Sequence, residues 1–291
     1  MISFSRILFP VDLSQQSRDA APFVKALAKR CQSQLSLLHV VEVPPTWYGA
    51  SGEAAICEWM DWPELLETRR RELQAFQDQE LRDIAVEPCV QSGDAAGIIA
   101  RVAHQKHVDL IMMPTHGYGP LRGLLLGSVT AKILHDAECP VWTVTHPADF
   151  DVPSENSWQE IVCAISGDPS KDLPLVRWTL DLARQEHANV QLVHAIQGYE
   201  ETQFAGEDDP MRDFIFNVAR ERIRTLQQQA DTNLVVTVQA GRTGHVVREV
   251  ALGQRADLIV AGRGVIQKPL GRLRSNAYAI VRDAPCPVIS V

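Results

Sequence analysis

A loop in the first half of the chain carries residues suited to binding an anion. Nine residues separate Gly117 from Gly127, and Ser128 follows directly. Glycine adopts backbone angles closed to other residues and lets the backbone approach a ligand closely. Ser128 stands where a helix is predicted to begin, and the open N–H groups and dipole of a helix N-terminus favour a phosphate. The spacing therefore predicts a phosphate-binding loop, although a tight turn without a ligand would also use these glycines.

Two other predicted strands end in groups that could hold a sugar and a base. Asp12 follows the first strand, and its carboxylate could accept hydrogen bonds from ribose hydroxyls or an adenine amine. The backbone at Val40, near the end of the second strand, could meet the edge of the base. Ligands of open α/β sheets bind beyond the carboxyl ends of the strands, where both residues lie. The alternative role of Asp12 and Ser14 is to cap the helix that follows.

The sequence carries no signature of a catalytic or metal centre. It has neither a Gly-x4-Gly-Lys-Ser/Thr loop nor a Gly-x-Ser-x-Gly elbow, and no paired carboxylates mark a site. His104, His107, His116 and His135 have no metal-ligand spacing with cysteines or carboxylates, so no metal site is expected. His39 and His194 recur at matching strand ends and are interpreted as structural. His116 could contact a phosphate or serve local hydrogen bonding.

An internal repeat defines the elements that position these residues. Cys139-Pro-Val recurs as Cys286-Pro-Val, 147 positions later, and Asp109-Leu-Ile recurs as Asp257-Leu-Ile, 148 positions later. His39 and His194 stand 155 positions apart. The offset changes once, so one loop, around Pro44 to Trp62, is longer in the first copy. Matches interrupted by a single insertion indicate duplication.

Each copy alternates short apolar runs with amphipathic segments, in the order β-α-β-α-β-α-β-α-β. In the first copy the runs fall at 6–11, 35–41, 85–90, 109–113 and 141–144, and the helical patterns at 14–31, 63–82, 95–107 and 127–136. This alternation predicts two tandem, doubly wound, five-stranded parallel-sheet α/β domains. We place them at 1–146 and 158–291, joined by a polar linker at 145–157.

Composition narrows the classes of partner. The net charge of −8 disfavours a nucleic-acid partner, although Arg263, Lys268, Arg272 and Arg274 form a candidate basic patch. The run Arg69 to Arg71 is interpreted as an exposed helix face. No apolar run approaches the roughly 20 residues that span a bilayer, and no signal peptide is recognised, so no membrane partner is expected. The six cysteines form no Cys-x-x-Cys pair, and we predict a cytoplasmic protein with reduced thiols.

These motifs together resemble the universal stress proteins. The string His116-Gly117-x9-Gly127-Ser128 is similar to the family's nucleotide loop, Gly-x2-Gly-x9-Gly-Ser/Thr, and Ile7-Leu-Phe-Pro-Val-Asp12-x-Ser14 resembles its first strand and adenosine-contacting Asp. The resemblance covers both copies and implies an adenine-nucleotide alpha hydrolase-like fold. The residues it assigns to nucleotide binding are Pro10, Val11, Asp12, Ser14, Val40, Pro114, Thr115, His116, Gly117, Gly127, Ser128 and Val129.

The sequence departs from that pattern in both copies. Pro114 replaces the first loop glycine and removes one N–H donor. In the second copy Arg274 replaces the last loop glycine, and Ser166 stands where the first copy has Asp12. We therefore expect the second copy to have lost the usual nucleotide mode, with Asp168 left as a candidate substitute. Its arginines are interpreted as solvated surface rather than as a second anion site.

The resemblance implies a stress-response protein that binds ATP or a related adenine nucleotide in the first domain, with Mg as its companion ion. Binding would order the loop at 114–126, and an unidentified protein partner would read that state. The closing strands, 141–144 and 288–291, would pair within one chain as a pseudo-dimer, and two chains would associate as a homodimer. The alternatives are an interaction scaffold that binds no nucleotide and, more weakly, an ATP-hydrolysing enzyme. We expect a non-enzyme, with slow ATP hydrolysis left open.

Overall fold

The computed structural model of the chain describes residues 2–42, 62–115, 126–145, 158–198, 210–263 and 276–291. The first domain contains β1 (Arg6–Val11), α1 (Gln15–Cys31), β2 (Gln34–Val41), α2 (Trp62–Glu80), β3 (Val86–Ser92), α3 (Ala95–Gln105), β4 (Leu110–Pro114), α4 (Ser128–Asp136) and β5 (Val141–Val144). The second contains β6 (Glu160–Ile165), α5 (Pro169–Glu186), β7 (Asn189–Ile196), α6 (Pro210–Ala230), β8 (Val235–Ala240), α7 (Thr243–Gln254), β9 (Leu258–Ala261), α8 (Asn276–Asp283) and β10 (Val288–Ser290).

The central strands form where the sequence has short runs rich in apolar residues. All residues of β1 after Arg6 are buried, and every residue of β4 and β5 is buried. Burial on both faces is typical of parallel strands covered by helices on either side. The edge strand β3 is only partly buried, and it runs two residues beyond its predicted end at Val90. The predicted alternation of strands and helices is confirmed in both domains.

The ten strands form one sheet in the order β3-β2-β1-β4-β5-β10-β9-β6-β7-β8. Each domain contributes five parallel strands, with β1 and β6 at the points where the winding direction reverses. The domains meet at β5 and β10, which pair antiparallel, with Ile289 opposite Trp142. The predicted pairing of the two closing strands within one chain is therefore present.

The hydrophobic core continues across the junction of the domains. On one face of the sheet, the buried side chains that pack together include Phe23 and Trp142 of the first domain and Val176 of the second. The other face likewise joins α3 and α4 to α7 and α8. Trp142 is 2% exposed, and its ring centroid lies 5.7 Å from that of Phe23. The two domains are therefore joined by shared packing as well as by strand pairing.

Candidate functional site

A cleft of about 1140 Å³ opens at the carboxyl ends of β1, β2 and β4. Helix α2 forms one wall, and α3 and the first turn of α4 form the opposite side. Its lining combines apolar side chains, among them Leu38, Ile99 and Met113, with charged side chains from α1 and α2. This is the position where ligands bind in doubly wound sheets. Eight of the twelve predicted site residues line it: Pro10, Val11, Asp12, Val40, Pro114, Gly127, Ser128 and Val129.

Two prolines explain why β1 and β4 separate at the cleft. These strands pair over only two residues, ending with Leu8 opposite Ile111. Pro10 and Pro114 follow on the two strands, and neither has an N–H to donate across the gap. In the second domain, where Ala164 and Gly262 take the two places, β6 and β9 pair over four residues. Pro114 thus removes a donor from the loop and also helps to open the cleft.

The turn after β1 is held by its own hydroxyl and carboxylate groups. Asp12 Oδ1 accepts hydrogen bonds from Ser14 N–H at 3.0 Å and Ser17 Oγ at 2.8 Å. Ser14 is the N-cap of α1, is 4% exposed and accepts from Ser17 N–H, so its side chain belongs to the cap. Leu13, between them, has a left-handed φ of 64°. Asp12 therefore holds the turn before α1 without being its N-cap, and it also lies on the cleft wall.

The end of β2 offers backbone groups to the cleft. Gln34 N–H bonds toward β1, whereas Val41 C=O bonds toward β3. The alternation of a parallel ladder then turns the peptide groups of Val40 toward β1, one residue past the last β1–β2 pair. His39 is 8% exposed, and its Nδ1–H donates to Val11 O at 2.9 Å. This bond supports the interpretation of His39 as a structural residue that also lines the cleft.

The N-terminus of α4 faces the cleft with no side-chain cap. Gly127 is its N-cap and makes no side-chain hydrogen bond, whereas Ser14 and Asp94 each cap their helices through an oxygen. Gly127 N–H donates to Thr115 O at 2.9 Å, and Thr130 Oγ donates to Pro114 O at 3.3 Å. These two bonds fix the turn and leave the first-turn N–H groups of the helix available to a ligand.

The α4 turn therefore has the form expected of an anion site. Ser128 is exposed and Val129 is half-buried, so both are accessible from solvent. Thr115, in contrast, is 1% exposed and holds the turn from behind. His116 and Gly117, which were predicted to belong to the nucleotide loop, lie outside the described residues, as does the rest of the loop up to 125. The loop at 43–61 and the linker at 146–157 also lie outside them.

Two cationic side chains on the cleft wall were not predicted as site residues. Arg18 lines the cleft from α1 and forms an ion pair with Glu80 at 2.9 Å. Arg69 was assigned to an exposed helix face, but it also lines the cleft and pairs with Glu72. The signal available in the sequence was helical spacing, because Arg18 follows the N-cap Ser14 by one turn and shares its side of the helix.

The corresponding turn in the second domain is organised differently. Ser166 takes the place of Asp12, and its N–H donates to Asp172 Oδ1 at 2.9 Å. Gly167 N–H donates to Asp172 Oδ2 at 2.8 Å, and Asp172 is 3% exposed. This buried carboxylate occupies the position that corresponds to Arg18. The second domain thus has a carboxylate where the first has the Arg18 guanidinium, and this carboxylate is hydrogen-bonded to the turn after β6.

Asp168 does not substitute for Asp12. It aligns with Ser14 and is the N-cap of α5, with Oδ1 accepting from Ser170 N–H at 3.1 Å. Hydrogen bonds from Ser170 and Lys171 lower its pKa. The Asp168 carboxylate is therefore committed to capping a helix. The structural interpretation of His194 is also supported, because its Nδ1–H donates to Ile165 O at 3.2 Å, the counterpart of the His39 bond.

Arg263 corrects part of the interpretation of the second-domain arginines. It is half-buried rather than solvated, and its guanidinium donates to Ala137 O, at the end of α4 in the first domain. Burial lowers its pKa. It therefore belongs to the contact between the domains. The other three members of the candidate basic patch lie outside the described residues.

Other groups in the described part of the chain suggest no second chemistry. No cluster of three or more His, Cys, Asp or Glu side chains there could hold a metal ion. The cysteines described are all free, and burial raises the pKa of Cys163 and of Cys286 to about 12. Within the described ranges, no helix has both the length and the apolar character needed to cross a bilayer.

Comparison with known proteins agrees with the duplicated fold. The profile of the universal stress protein family matches the chain twice, over residues 3–145 and 157–291. The chain belongs to the universal stress protein family. It carries two of the family's domains in tandem, in agreement with the repeat found in the sequence.

Individual members of the family match either one domain or the whole chain. Universal stress protein Sll1654 of Synechocystis is 39% identical over 144 residues, which are 50% of this chain and 87% of that protein. Universal stress protein MJ0531 of Methanocaldococcus jannaschii is 30% identical over 146 residues, 50% of this chain and 84% of its own. A crystal structure of a universal stress protein from Archaeoglobus fulgidus covers 99% of this chain and 96% of its own, with a TM-score of 0.63 and 18% identity. That likeness supports the tandem fold.

Proposed function

We propose that the first domain binds ATP or a related adenine nucleotide in the cleft at the ends of β1, β2 and β4, and that this binding serves a role in the stress response. The observation that carries the proposal is the uncapped N-terminus of α4, which opens into the same cleft as Asp12 and the peptide groups of Val40. An anion site, a carboxylate and a backbone edge then stand where a phosphate, a sugar and a base would lie.

Each group has a distinct task in this arrangement. The first-turn N–H groups of α4 would bind phosphate oxygens without the water reorganisation that a flexible loop requires. Asp12 would accept hydrogen bonds from the ribose hydroxyls. The apolar side chains of Ile99 and Met113, 3% and 6% exposed, would pack against the faces of the base. Selectivity for adenine would come from the peptide groups of Val40.

A magnesium ion would accompany the nucleotide rather than bind a protein cage. Within the described residues, no acidic or histidine cluster is present that could hold a cation alone. Mg²⁺ commonly keeps several waters and binds through substrate phosphates. The chain's own contribution would be to hold the phosphates at the α4 turn. We propose that a protein partner reads the nucleotide state and that no chemical step is needed for signalling.

The test measures the ATP affinity of the purified wild-type chain and of two variants, each of which adds one negative charge. Gly127 has φ −56° and ψ 143°, angles open to any residue, so Gly127→Glu places a carboxylate at the α4 turn without backbone strain. We expect it to reduce ATP affinity at least 100-fold, because the carboxylate competes with and repels the phosphates. Gly253→Glu, on α7 with open space around it, is the control and should bind ATP normally.

Three results would contradict the proposal. A folded wild-type chain that produces no binding signal, and releases no nucleotide on denaturation, would leave the interaction scaffold as the favoured reading. Equal ATP affinity in the wild type and Gly127→Glu would place the nucleotide elsewhere. Substantial turnover of bound ATP would favour the ATP-hydrolysing enzyme instead.

A further inference from the structure

The anion-binding turn of the first domain is contacted by a helix of the second. Tyr278, on α8, is 6% exposed, and its hydroxyl accepts a hydrogen bond from Leu126 N–H at 3.1 Å. Leu126 is the residue before the N-cap Gly127 and is itself 5% exposed. A buried N–H without an acceptor is unfavourable, so this bond stabilises one particular course of the backbone into α4.

A second contact from α8 reaches the other side of the same turn. Thr115 O accepts from Gly127 N–H, and Thr115 Oγ donates to Thr145 Oγ at 3.5 Å. Thr145 Oγ in turn donates to Val281 O at 3.2 Å. Val281 lies one helical turn after Tyr278, so both contacts come from α8. Leu126, which precedes Gly127, and Thr115, which accepts from the Gly127 N–H, are thereby both connected to the second domain.

The first domain has no tyrosine at the position that corresponds to Tyr278. By the offset of 147 positions between the closing segments, Tyr278 corresponds to Ala131 of α4. An alanine has no hydroxyl and cannot make the reciprocal bond to the loop of the second domain. The asymmetry therefore favours the first domain, because the turn before α4 receives a hydroxyl acceptor from the second domain.

We infer that Tyr278 is a positioning residue for the phosphate end of the nucleotide site, an inference that rests on the proposed function. The second domain holds Leu126 and Gly127 so that the first-turn N–H groups of α4 converge on one point before ligand binds. Preorganisation of this kind lowers the ordering penalty of binding. We expect it to increase the affinity for the phosphates only, because Asp12 and Val40 lie at the ends of β1 and β2 and not on α4.

The test compares Tyr278→Phe with Thr143→Val, using ATP and adenosine as probes. Tyr278→Phe removes only the hydroxyl and keeps the ring in the core. Thr143→Val removes another buried hydroxyl between the domains, one that donates to Val288 O at 3.4 Å away from the turn. We expect Tyr278→Phe to weaken ATP binding roughly 3- to 10-fold, the equivalent of one hydrogen bond, and to leave adenosine affinity unchanged. Thr143→Val should change neither affinity.

Amide hydrogen exchange at Leu126 tests the role of Tyr278 independently of nucleotide binding. We expect this amide to exchange roughly 3- to 10-fold faster in Tyr278→Phe than in the wild type or Thr143→Val, with or without nucleotide. Should the wild type bind neither probe, the proposed function fails, and the exchange rate alone decides whether Tyr278 holds the turn. Unchanged exchange, or equal weakening of ATP and adenosine in Tyr278→Phe, would overturn the inference.

Discussion

Asp12 and Asp172 hold the turns after the first strands of their domains from opposite sides. Asp12 stands in the turn and reaches forward to Ser17 on the helix, whereas Asp172 stands on the helix and reaches back to the turn. The first arrangement places a carboxylate on the cleft wall. The second buries the carboxylate against backbone N–H groups. The acidic residue thus lies six positions later in the second domain than in the first. In the first domain the carboxylate lines the cleft and could bind a sugar, whereas in the second it is bonded to the backbone of its own turn.

Gly167 shows how tightly the turn of the second domain is packed. Its φ is +83°, and an added Cβ would lie 2.6 Å from His194 Cε1. The ring of His194 is in turn fixed by its bond to Ile165 O. Any side chain at this position would have to displace the histidine as well as adopt an unfavourable backbone angle.

We therefore predict that Gly167→Ala lowers the free energy of unfolding by about 2–4 kcal/mol, the sum of backbone strain and a displaced contact. Gly198→Ala is the matched control, since Gly198 has the same φ of +83° but no atom within 4 Å of an added Cβ. It should lose only about 1–2 kcal/mol. Urea unfolding measures both variants, and equal losses would show that His194 does not restrict the turn.

At the scale of elements, α1 and α5 face each other across the domain junction through one ion pair. Arg30 Nη2 lies 3.2 Å from Glu186 Oε1, and the Arg30 guanidinium stacks 4.8 Å above the ring of Trp158. The Glu186 side chain is only 6% exposed. Burial raises the pKa of Glu186 even though Arg30 acts in the opposite sense. The effect of burial on this pKa is larger than that of Arg30, and we therefore expect the pair to add little net stability.

Removing one partner should therefore be worse than removing both. We expect Arg30→Met to lower the free energy of unfolding by about 2–3 kcal/mol, because Glu186 remains buried without its cation. The double variant Arg30→Met/Glu186→Leu should return to within about 1 kcal/mol of the wild type. Arg184→Met, which breaks the exposed pair with Asp181, is the control and should stay within about 0.5 kcal/mol. Additive losses in the double variant would contradict this account.

The elements themselves were largely predictable from the sequence, because their signals are local. The buried run of β1 and the apolar face of α1 need no tertiary information, and the repeat identified the second copy by its matches to the first. Boundaries shifted by only a few residues, as where β4 extends to Pro114. From the sequence, Pro114 was predicted only to remove a donor from the loop. In the structure it lies at the end of β4, where it also helps to separate that strand from β1.

Arg18 could have been found from helical spacing, but two other missed residues, Arg69 and Tyr278, owe their positions to distant parts of the chain. Arg69 comes to the cleft only because α2 packs beside β3, and Tyr278 reaches Leu126 across 152 positions. No local pattern distinguishes such residues from an exposed arginine or a core tyrosine. The sequence left two roles open for Ser14 and left open whether Asp168 replaces Asp12, and the hydrogen bonds show both residues capping a helix.

At the scale of the whole molecule, the two copies share one fold but differ in the turns that follow their first strands. The ten-stranded sheet and the shared cores join them into one structure. We propose that the first domain carries the nucleotide site and that the second supplies Tyr278 and a carboxylate-closed turn. A protein with two equivalent sites would need a free turn at the end of β6, but Asp172 is bonded there.

The number of nucleotides bound per chain tests this division most directly. Isothermal titration of the full-length wild type with ATP should give a stoichiometry of about one per chain, and the Gly127→Glu variant should give none. The proposal requires that the single site be in the first domain. Two ATP molecules per chain, or one that persists unchanged in Gly127→Glu, would contradict the account.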